Sequence, residues 1–143
     1  MKRYIKSAVK DIGDEDYDTQ SNIALDKNTP PEDLERLYNL DGNLRLMPDF
    51  AHNPNCPPEI LEEIALKTPV SNSGYNISIF DGLATNPNTP TSALLIMAKK
   101  CDWYTINFII KHPNTTYKVL EAITKSGNAS PQNKKLARQK MKE

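Results

Sequence analysis

The sequence predicts an all-α helical-repeat fold, because a short proline-containing motif recurs along the chain and an apolar stripe at helical spacing follows each copy. The motif is clearest at residues 83–90, which read Leu-Ala-Thr-Asn-Pro-Asn-Thr-Pro. The position of its second threonine recurs at intervals of 27, 33 and 26 residues. Stacked helical units of this length bury a continuous core between them. We therefore expect about four repeat units in residues 14–126.

The residues of the motif suit the start of a helix. Thr89 is placed to accept a backbone hydrogen bond as an N-cap, and Pro90 suits the first helical position, where its missing N–H would be unpaired anyway. In the first copy, Glu32 follows Thr29 by three residues, which is the spacing of a reciprocal capping box. These signals predict that the threonine caps the helix that follows it.

A long helix is predicted after each copy of the motif, at residues 30–40, 57–67, 90–100 and 116–125. Each of these segments has a leucine and, three positions later, a second apolar residue, which is the spacing of a buried helical stripe. The four pairs are Leu34 and Leu37, Leu61 and Ile64, Leu94 and Met97, and Leu120 and Ile123.

A shorter helical piece is predicted between successive long helices, near residues 43–51, 77–84 and 103–110. Pro48 falls inside the first piece, so we expect broken or tight helical turns there. Asp102 is placed to cap the third piece. The predicted fold therefore alternates long α-helices with short or 3₁₀ helices.

The two ends and one insertion depart from the repeat. Residues 68–76 are an extra polar stretch, which we expect to form a loop at the edge of the scaffold, where function is often found. Residues 1–13 have apolar side chains at helical spacing and predict an N-terminal capping helix. Residues 127–143 predict a basic capping helix that begins at Ser130. The chain is then a single helical-repeat domain of residues 1–143.

The composition is that of a globular protein in a reducing compartment. The 11 prolines outnumber the 5 glycines, which favours many short elements. No run of about 18 apolar residues occurs, and the N-terminus lacks the apolar region of a signal peptide. We therefore expect a cytoplasmic protein without membrane contact. Cys56 and Cys101 have no paired-cysteine spacing, which favours two free thiols over a disulfide.

The formal net charge is zero, but the charges are segregated along the chain. Residues 14–66 contain thirteen acidic and three basic side chains, whereas residues 67–143 contain four acidic and eleven basic ones. Such segregation is compatible with ordinary solvated faces. The sharper interpretations are an electrostatic surface for a partner, or head-to-tail self-association between the opposite ends of two copies.

With the copies aligned, the pattern apolar-Ala-x-Asn-Pro-Asn-Thr-Pro-x-x-x-Leu resembles the variant leucine-rich repeat family over roughly residues 19–126. The closest matches are residues 51–59 and 84–90. The resemblance implies a right-handed, two-layer solenoid of alternating α- and 3₁₀-helices without strands. Some members of that family hold an iron–sulfur cluster on an N-terminal cysteine-rich segment. The N-terminal region of this chain has no cysteine, so the resemblance implies no cofactor here.

Catalytic and metal-binding patterns are weak in this sequence. It has no glycine-rich phosphate loop, no Gly-x-Ser-x-Gly elbow and no His-Glu-x-x-His segment. The available soft metal ligands are His52, Cys56, Cys101 and His112, whose spacing does not match a zinc finger. We therefore predict a non-enzymatic protein without a metal site or cofactor.

The residues that differ between repeats are the better candidates for partner contacts. We expect at least one of Trp103 and Tyr104 to be buried, whereas an exposed Trp103 would mark a contact hot spot. A protein partner is the first expectation, and nucleic acid bound by the basic C-terminal half is the alternative. The candidate contact residues are Tyr75, Lys99, Lys100, Trp103, Tyr104, Lys134, Lys135 and Arg138.

Overall fold

A computed structural model of the chain describes residues 16–40, 44–71 and 73–143. Within these ranges the regular structure is helical, with no strand. The helices are α1 (Tyr17–Leu25), α2 (Pro31–Asn39), α3 (Met47–His52), α4 (Pro58–Lys67), α5 (Gly74–Thr85), α6 (Thr91–Lys100), α7 (Trp103–Lys111), α8 (Tyr117–Lys125) and α9 (Pro131–Met141). The predicted all-α class is confirmed for this part of the chain. The predicted N-terminal cap over 1–13 lies outside the described residues.

The helices pack in two rows. Helices α1, α3, α5, α7 and α9 each contact the next member of one row, which we call the odd row. Helices α4, α6 and α8 do the same in the other, which we call the even row. Helix α2 joins the even row beside α4, where the Lys67 ammonium lies 5.9 Å from the centre of the Tyr38 ring. This is a helical repeat arrangement, whereas the handedness implied by the family resemblance stays a prediction.

The core lies between the two rows and is built from the predicted apolar pairs. Leu34, Leu61 and Leu94 are fully buried, and Leu120 is 4% exposed. Their partners three residues later are all fully buried; these are Leu37, Ile64, Met97 and Ile123. Burial of each such side chain stabilises the fold by about 1.5–3 kcal/mol. The apolar spacing therefore predicted the core-facing side of all four long helices.

The short helical pieces predicted near 77–84 and 103–110 are present as α-helices. Helix α7 has 9 residues and closely matches its predicted span, and α5 has 12 residues and begins earlier than predicted. Each begins at a polar cap: Ser73 accepts the backbone N–H of Asn76, and Asp102 accepts that of Thr105. The predicted cap at Asp102 is thus confirmed. The only 3₁₀ helix of the described chain, Leu44–Leu46, lies just before α3, in the piece interrupted by proline.

The insertion at 68–76 is only partly a loop. Its last three residues, 74–76, form the first turn of α5, so the expectation of an entirely loop-like insertion is wrong. The buried Asn76 amide donates to the Pro69 carbonyl and to Ser71 Oγ, both at 2.9 Å. These bonds hold the remaining loop against the helix. The insertion therefore both lengthens α5 and leaves a shorter loop before it.

The prediction that the motif threonines cap the long helices is wrong. Helices α2, α4, α6 and α8 have Pro30, Pro57, Pro90 and Thr116 as their N-caps, and none has a side-chain cap hydrogen bond. Each motif threonine lies before that position. The Thr29 hydroxyl instead donates backwards to the Ile23 carbonyl at 2.8 Å. The predicted capping box at Glu32 is therefore absent, and a capping box occurs in α9, between Ser130 and Asn133.

The asparagines of the motif link each repeat to the one before it. Asn86 Nδ2 donates to the carbonyls of Ala51 and Asn53, both at 2.9 Å, while its Oδ1 accepts the backbone N–H of Asn88. Asn53 makes the corresponding pair of bonds to the carbonyls of Ala24 and Asp26. A buried carbonyl without a partner destabilises a fold, so these side chains stabilise the junction between repeats. The motif is therefore structural.

Candidate functional site

The first candidate surface is an exposed aromatic cluster in the odd row. Trp103 is 58% exposed and Tyr104 is 52% exposed, so the expectation that at least one of them is buried is wrong. The core-facing positions of α7 are filled by other residues, namely Thr105, Ile106, Ile109 and Ile110. The Trp103 and Tyr104 rings meet edge to face with centroids 5.9 Å apart, and Tyr104 meets Phe108 at 5.3 Å.

A groove between α5 and α7 continues this cluster. It has a volume of about 280 Å³, and its apolar lining comes from Val70, Ile77, Phe80 and Tyr104. Val70 is 62% exposed and Ile77 is 48% exposed, so the apolar lining reaches the surface. Asp81 and Asp102 supply carboxylates to the same groove. We call this groove, together with Trp103 and Phe108, the aromatic surface.

Tyr75 does not belong to the aromatic surface. Its pKa is raised mainly by burial and then by the nearby Tyr17 and Asp49, which belong to α1 and α3. Tyr75 therefore faces the N-terminal neighbours of α5, whereas α7 packs on α5 from the C-terminal side of the row. The structure thus separates Tyr75 from the two aromatic residues with which the sequence grouped it.

Lys100 has a structural role that the sequence did not reveal. Its ammonium donates to the carbonyls of Ala65 and Thr68, at 2.7 and 2.8 Å, at the end of α4. A cation at the C-terminal end of a helix is also favoured by the helix dipole. Burial lowers the pKa of Lys100. The side chain is therefore engaged within the fold, although it also borders the groove between α5 and α7.

The second candidate surface is a basic groove between α6 and α8 in the even row. Its volume is about 520 Å³, and three lysines, Lys99, Lys118 and Lys125, line it around a single acidic residue, Glu121. Each of these lysines is exposed. The structure therefore places Lys99 with two lysines of the next repeat, and not with its neighbour Lys100. We call this the basic groove.

An acidic groove lies between α2 and α4 of the same row. Its volume is about 330 Å³, and Glu35, Glu59 and Glu63 line it, of which Glu63 is ion-paired with Lys67. Tyr38 and Ile60 line it as well. The predicted segregation of charge therefore becomes two separate grooves on one row of helices. We call this groove the acidic groove. Its signal in the sequence was the excess of acidic over basic side chains in residues 14–66.

Helix α9 contains all three of the remaining basic candidates, Lys134, Lys135 and Arg138. No acidic residue occurs in Pro131–Met141. Lys135 and Arg138 are exposed, and Lys134 is partly buried. Lys140 instead donates to the Ile110 carbonyl at 2.7 Å, at the end of α7. Helix α9 thus presents a cationic side while one of its lysines holds it against the odd row.

The four soft metal ligands occupy unrelated positions in the fold. Cys56 and Cys101 are buried free thiols, and burial raises the pKa of each to about 12. His112 is buried and bonds backbone groups on both ring nitrogens, and His52 lies 3.1 Å from the Ser78 carbonyl. Within the described ranges, no three His, Cys, Asp or Glu side chains come close enough together to hold a metal ion.

Among the described helices, none has both the length and the apolar character needed to cross a membrane. Comparison with known proteins finds no protein-family model, no curated protein and no solved structure that matches the chain. The family resemblance of the repeat motif therefore stays a prediction. The candidate functional features of the described chain are the aromatic surface, the basic groove, the acidic groove and the basic side of α9.

Proposed function

We propose that the chain is a non-enzymatic repeat scaffold that binds a partner protein through the aromatic surface. The observation that supports this most directly is the exposed Trp103, which meets Tyr104 edge to face beside an apolar groove. Tryptophan and tyrosine are enriched among the residues that dominate binding at protein interfaces. These two adjacent rings are each more than half exposed. A partner that covers them would remove their apolar surface from water, which favours binding.

The groove suggests the chemistry of the partner segment. Val70, Ile77 and Phe80 offer an apolar lining for one inserted side chain, and Asp81 and Asp102 offer carboxylates beside it. An apolar anchor flanked by a basic residue would satisfy both features. A non-enzymatic role is in keeping with the cysteines, which are buried thiols, and with the histidines, which lie against backbone carbonyls.

The proposal is tested by two matched variants of the full chain. Trp103→Ser/Tyr104→Ser removes the exposed rings, and Tyr117→Ser removes a ring of similar exposure, 60%, from the even row. Proteins that co-purify with the wild type are quantified for each variant. We expect a partner that Tyr117→Ser retains and the double variant loses, with at least about tenfold weaker binding by calorimetry. A partner bound equally well by the double variant contradicts the proposal.

Nucleic acid is the alternative ligand, and the absence of acidic residues from α9 favours it. It would use Lys134, Lys135 and Arg138 on a helix whose exposed side is cationic. A gel-shift experiment with single-stranded and duplex probes tests this, using Lys134→Gln/Lys135→Gln/Arg138→Gln as the variant. Binding that weakens steeply with salt and is lost in the variant favours nucleic acid. Absence of binding at low salt excludes this alternative and leaves the protein partner.

A further inference from the structure

We propose that two copies of the chain associate face to face through their even rows, with the acidic groove of each copy against the basic groove of the other. This inference goes beyond the proposed function, because it uses a different row of helices and commits to a different partner, a second copy of the same chain. It would leave the aromatic surface, which belongs to the odd row, free to bind another protein.

The placement of the two grooves is the first support. The acidic groove lies between α2 and α4, and the basic groove lies between α6 and α8. Helices α4 and α6 contact one another, and Ser92 of α6 donates to Glu62 of α4 at 2.8 Å. The two grooves therefore lie on opposite sides of the line where α4 meets α6, on one continuous row.

Symmetry then selects one way of pairing. One possible two-fold axis lies in the interface, along the line between α4 and α6. It places the helices of the second copy opposite those of the first in reverse order, so α2 faces α8 of the second copy and α4 faces α6. Each acidic groove then meets a basic groove, and this happens twice in the same pair. Such an interface is closed, so it gives pairs and not growing chains. A two-fold axis across the row would instead bring acidic groove against acidic groove.

The side chains near that line are suited to contact. Leu66, near the end of α4, is 60% exposed. Leu95 and Ile96 of α6 are only partly covered by the core. Leu95 lines the basic groove, and the pairing covers these apolar side chains together with the charged ones, so that water can be excluded from them. Charge complementarity would set the orientation, and apolar contact would add affinity.

The size of the row predicts a weak pair. Helices α4 and α6 have 10 residues each, so each is about 15 Å long at a rise of about 1.5 Å per residue. Four helices spaced about 9 Å apart present a face of roughly 500 Å² per copy. The pair would therefore bury roughly 1,000 Å², near the lower limit for a specific interface. We expect a reversible, salt-dependent dimer.

Sedimentation velocity on the full chain, over a range of protein concentrations, is the first measurement. We expect a monomer–dimer equilibrium. Its dissociation constant should be at least about tenfold larger at about 0.5 M salt than at about 0.05 M, because salt screens exposed charges. A wild-type monomer at every concentration in low salt overturns the proposal. So does a dimer that salt does not weaken, or an assembly that keeps growing with concentration.

Charge exchange is the sharper test. Glu35→Lys/Glu59→Lys makes both grooves basic, and Lys118→Glu/Lys125→Glu makes both acidic; all four side chains are exposed. Each variant alone should lose at least about tenfold in dimer affinity. An equimolar mixture should restore a dimer that contains one copy of each, because both contacts are again complementary. Restoration also demonstrates that both variants are folded.

A matched control separates groove pairing from net charge. Lys111→Glu/Lys135→Glu changes the net charge as much as the Lys118/Lys125 variant does, but both lysines are exposed on the odd row. This control should dimerise within about threefold of the wild type. If the control weakens the dimer as much as the groove variant, or if the mixture of groove variants stays monomeric, the face-to-face pair is wrong. The loss of a partner protein on Trp103→Ser/Tyr104→Ser tests the proposed function, and its outcome does not depend on whether the chain dimerises.

Discussion

His112 donates from Nε2 to the backbone carbonyl of Asn86, 2.8 Å away and one repeat earlier. The backbone N–H of Asn114 donates to His112 Nδ1 at 3.0 Å, so Nδ1 is the unprotonated nitrogen and the ring proton lies on Nε2. The imidazole thus makes the two kinds of bond that the Asn86 amide makes one repeat earlier, where Nδ2 donates to the Asn53 carbonyl and Oδ1 accepts from Asn88. One ring substitutes for an amide in the link between repeats.

This equivalence predicts the effect of two substitutions at position 112. His112→Asn should change the free energy of unfolding little, because an amide can make both bonds. His112→Leu should leave the Asn114 N–H unpaired and remove one of the two donors to the Asn86 carbonyl, which keeps the Thr89 N–H at 3.1 Å, so we expect a loss of about 1–3 kcal/mol. Urea unfolding followed by circular dichroism measures both. Equal stability of the asparagine and leucine variants would mean that these bonds contribute nothing.

Gly82 marks the closest approach between α3 and α5, and it predicts a second effect. A Cβ at this position would lie 2.9 Å from Ala51 Cβ and 3.0 Å from the Ala51 backbone carbon. Alanine improves helix propensity by about 1 kcal/mol, but overpacking against a backbone atom costs about 1–3 kcal/mol. We expect Gly82→Ala to destabilise the fold in thermal unfolding. Gly74→Ala is the control, because a Cβ there meets nothing within 4 Å and should not destabilise.

The role of Lys100 at the end of α4 predicts a difference between two adjacent lysines. Lys100→Met keeps the aliphatic stem but removes the donor to the Ala65 and Thr68 carbonyls, which should cost about 1–2 kcal/mol of unfolding free energy. Lys99→Met should leave stability within about 0.5 kcal/mol, because Lys99 is exposed in the basic groove. Chemical denaturation of the two variants side by side decides the matter. Equal losses would refute the structural assignment of Lys100.

Features that depend on residues close together in the sequence were predicted correctly, whereas features that depend on how one helix meets another were not. The bounds of the long helices and their buried leucines were predictable, because proline positions and apolar spacing are local signals. The backward bond from the Thr29 hydroxyl to Ile23 was not, since it depends on how the preceding helix ends. The same threonine position is used differently elsewhere: the Thr89 hydroxyl is buried and has no hydrogen-bond partner within the described chain.

The candidate surfaces were predictable in composition but not in arrangement. The charge counts indicated an acidic and a basic part, yet only packing shows that their grooves lie on one row. Tyr75 and Trp103 were grouped because both are aromatic residues outside the motif, and the two sides of α5 separate them. Ile77 is an apolar side chain near the start of α5, but its exposed fraction of 48% is visible only in the structure. It shares the groove with Tyr104 of α7, a pairing that no local pattern identifies.

The burial of the two cysteines predicts that the free energy of unfolding depends on pH. Burial raises the pKa of Cys56 and of Cys101 from 9.0 to about 12 in the folded chain, so ionisation of either thiol favours the unfolded state. The contribution of the protonated thiols to the free energy of unfolding is complete below pH 9 and is lost as the pH rises towards 12.

Thiol labelling and pH-dependent unfolding test this state of the two cysteines. Iodoacetamide at pH 8 should label the native thiols at least about a hundredfold more slowly than the thiols of the urea-unfolded chain. A Cys56→Thr/Cys101→Ala variant should lose less stability between pH 9 and 11 than the wild type. Rapid native labelling, or equal losses of stability, would contradict the buried, protonated state of these thiols.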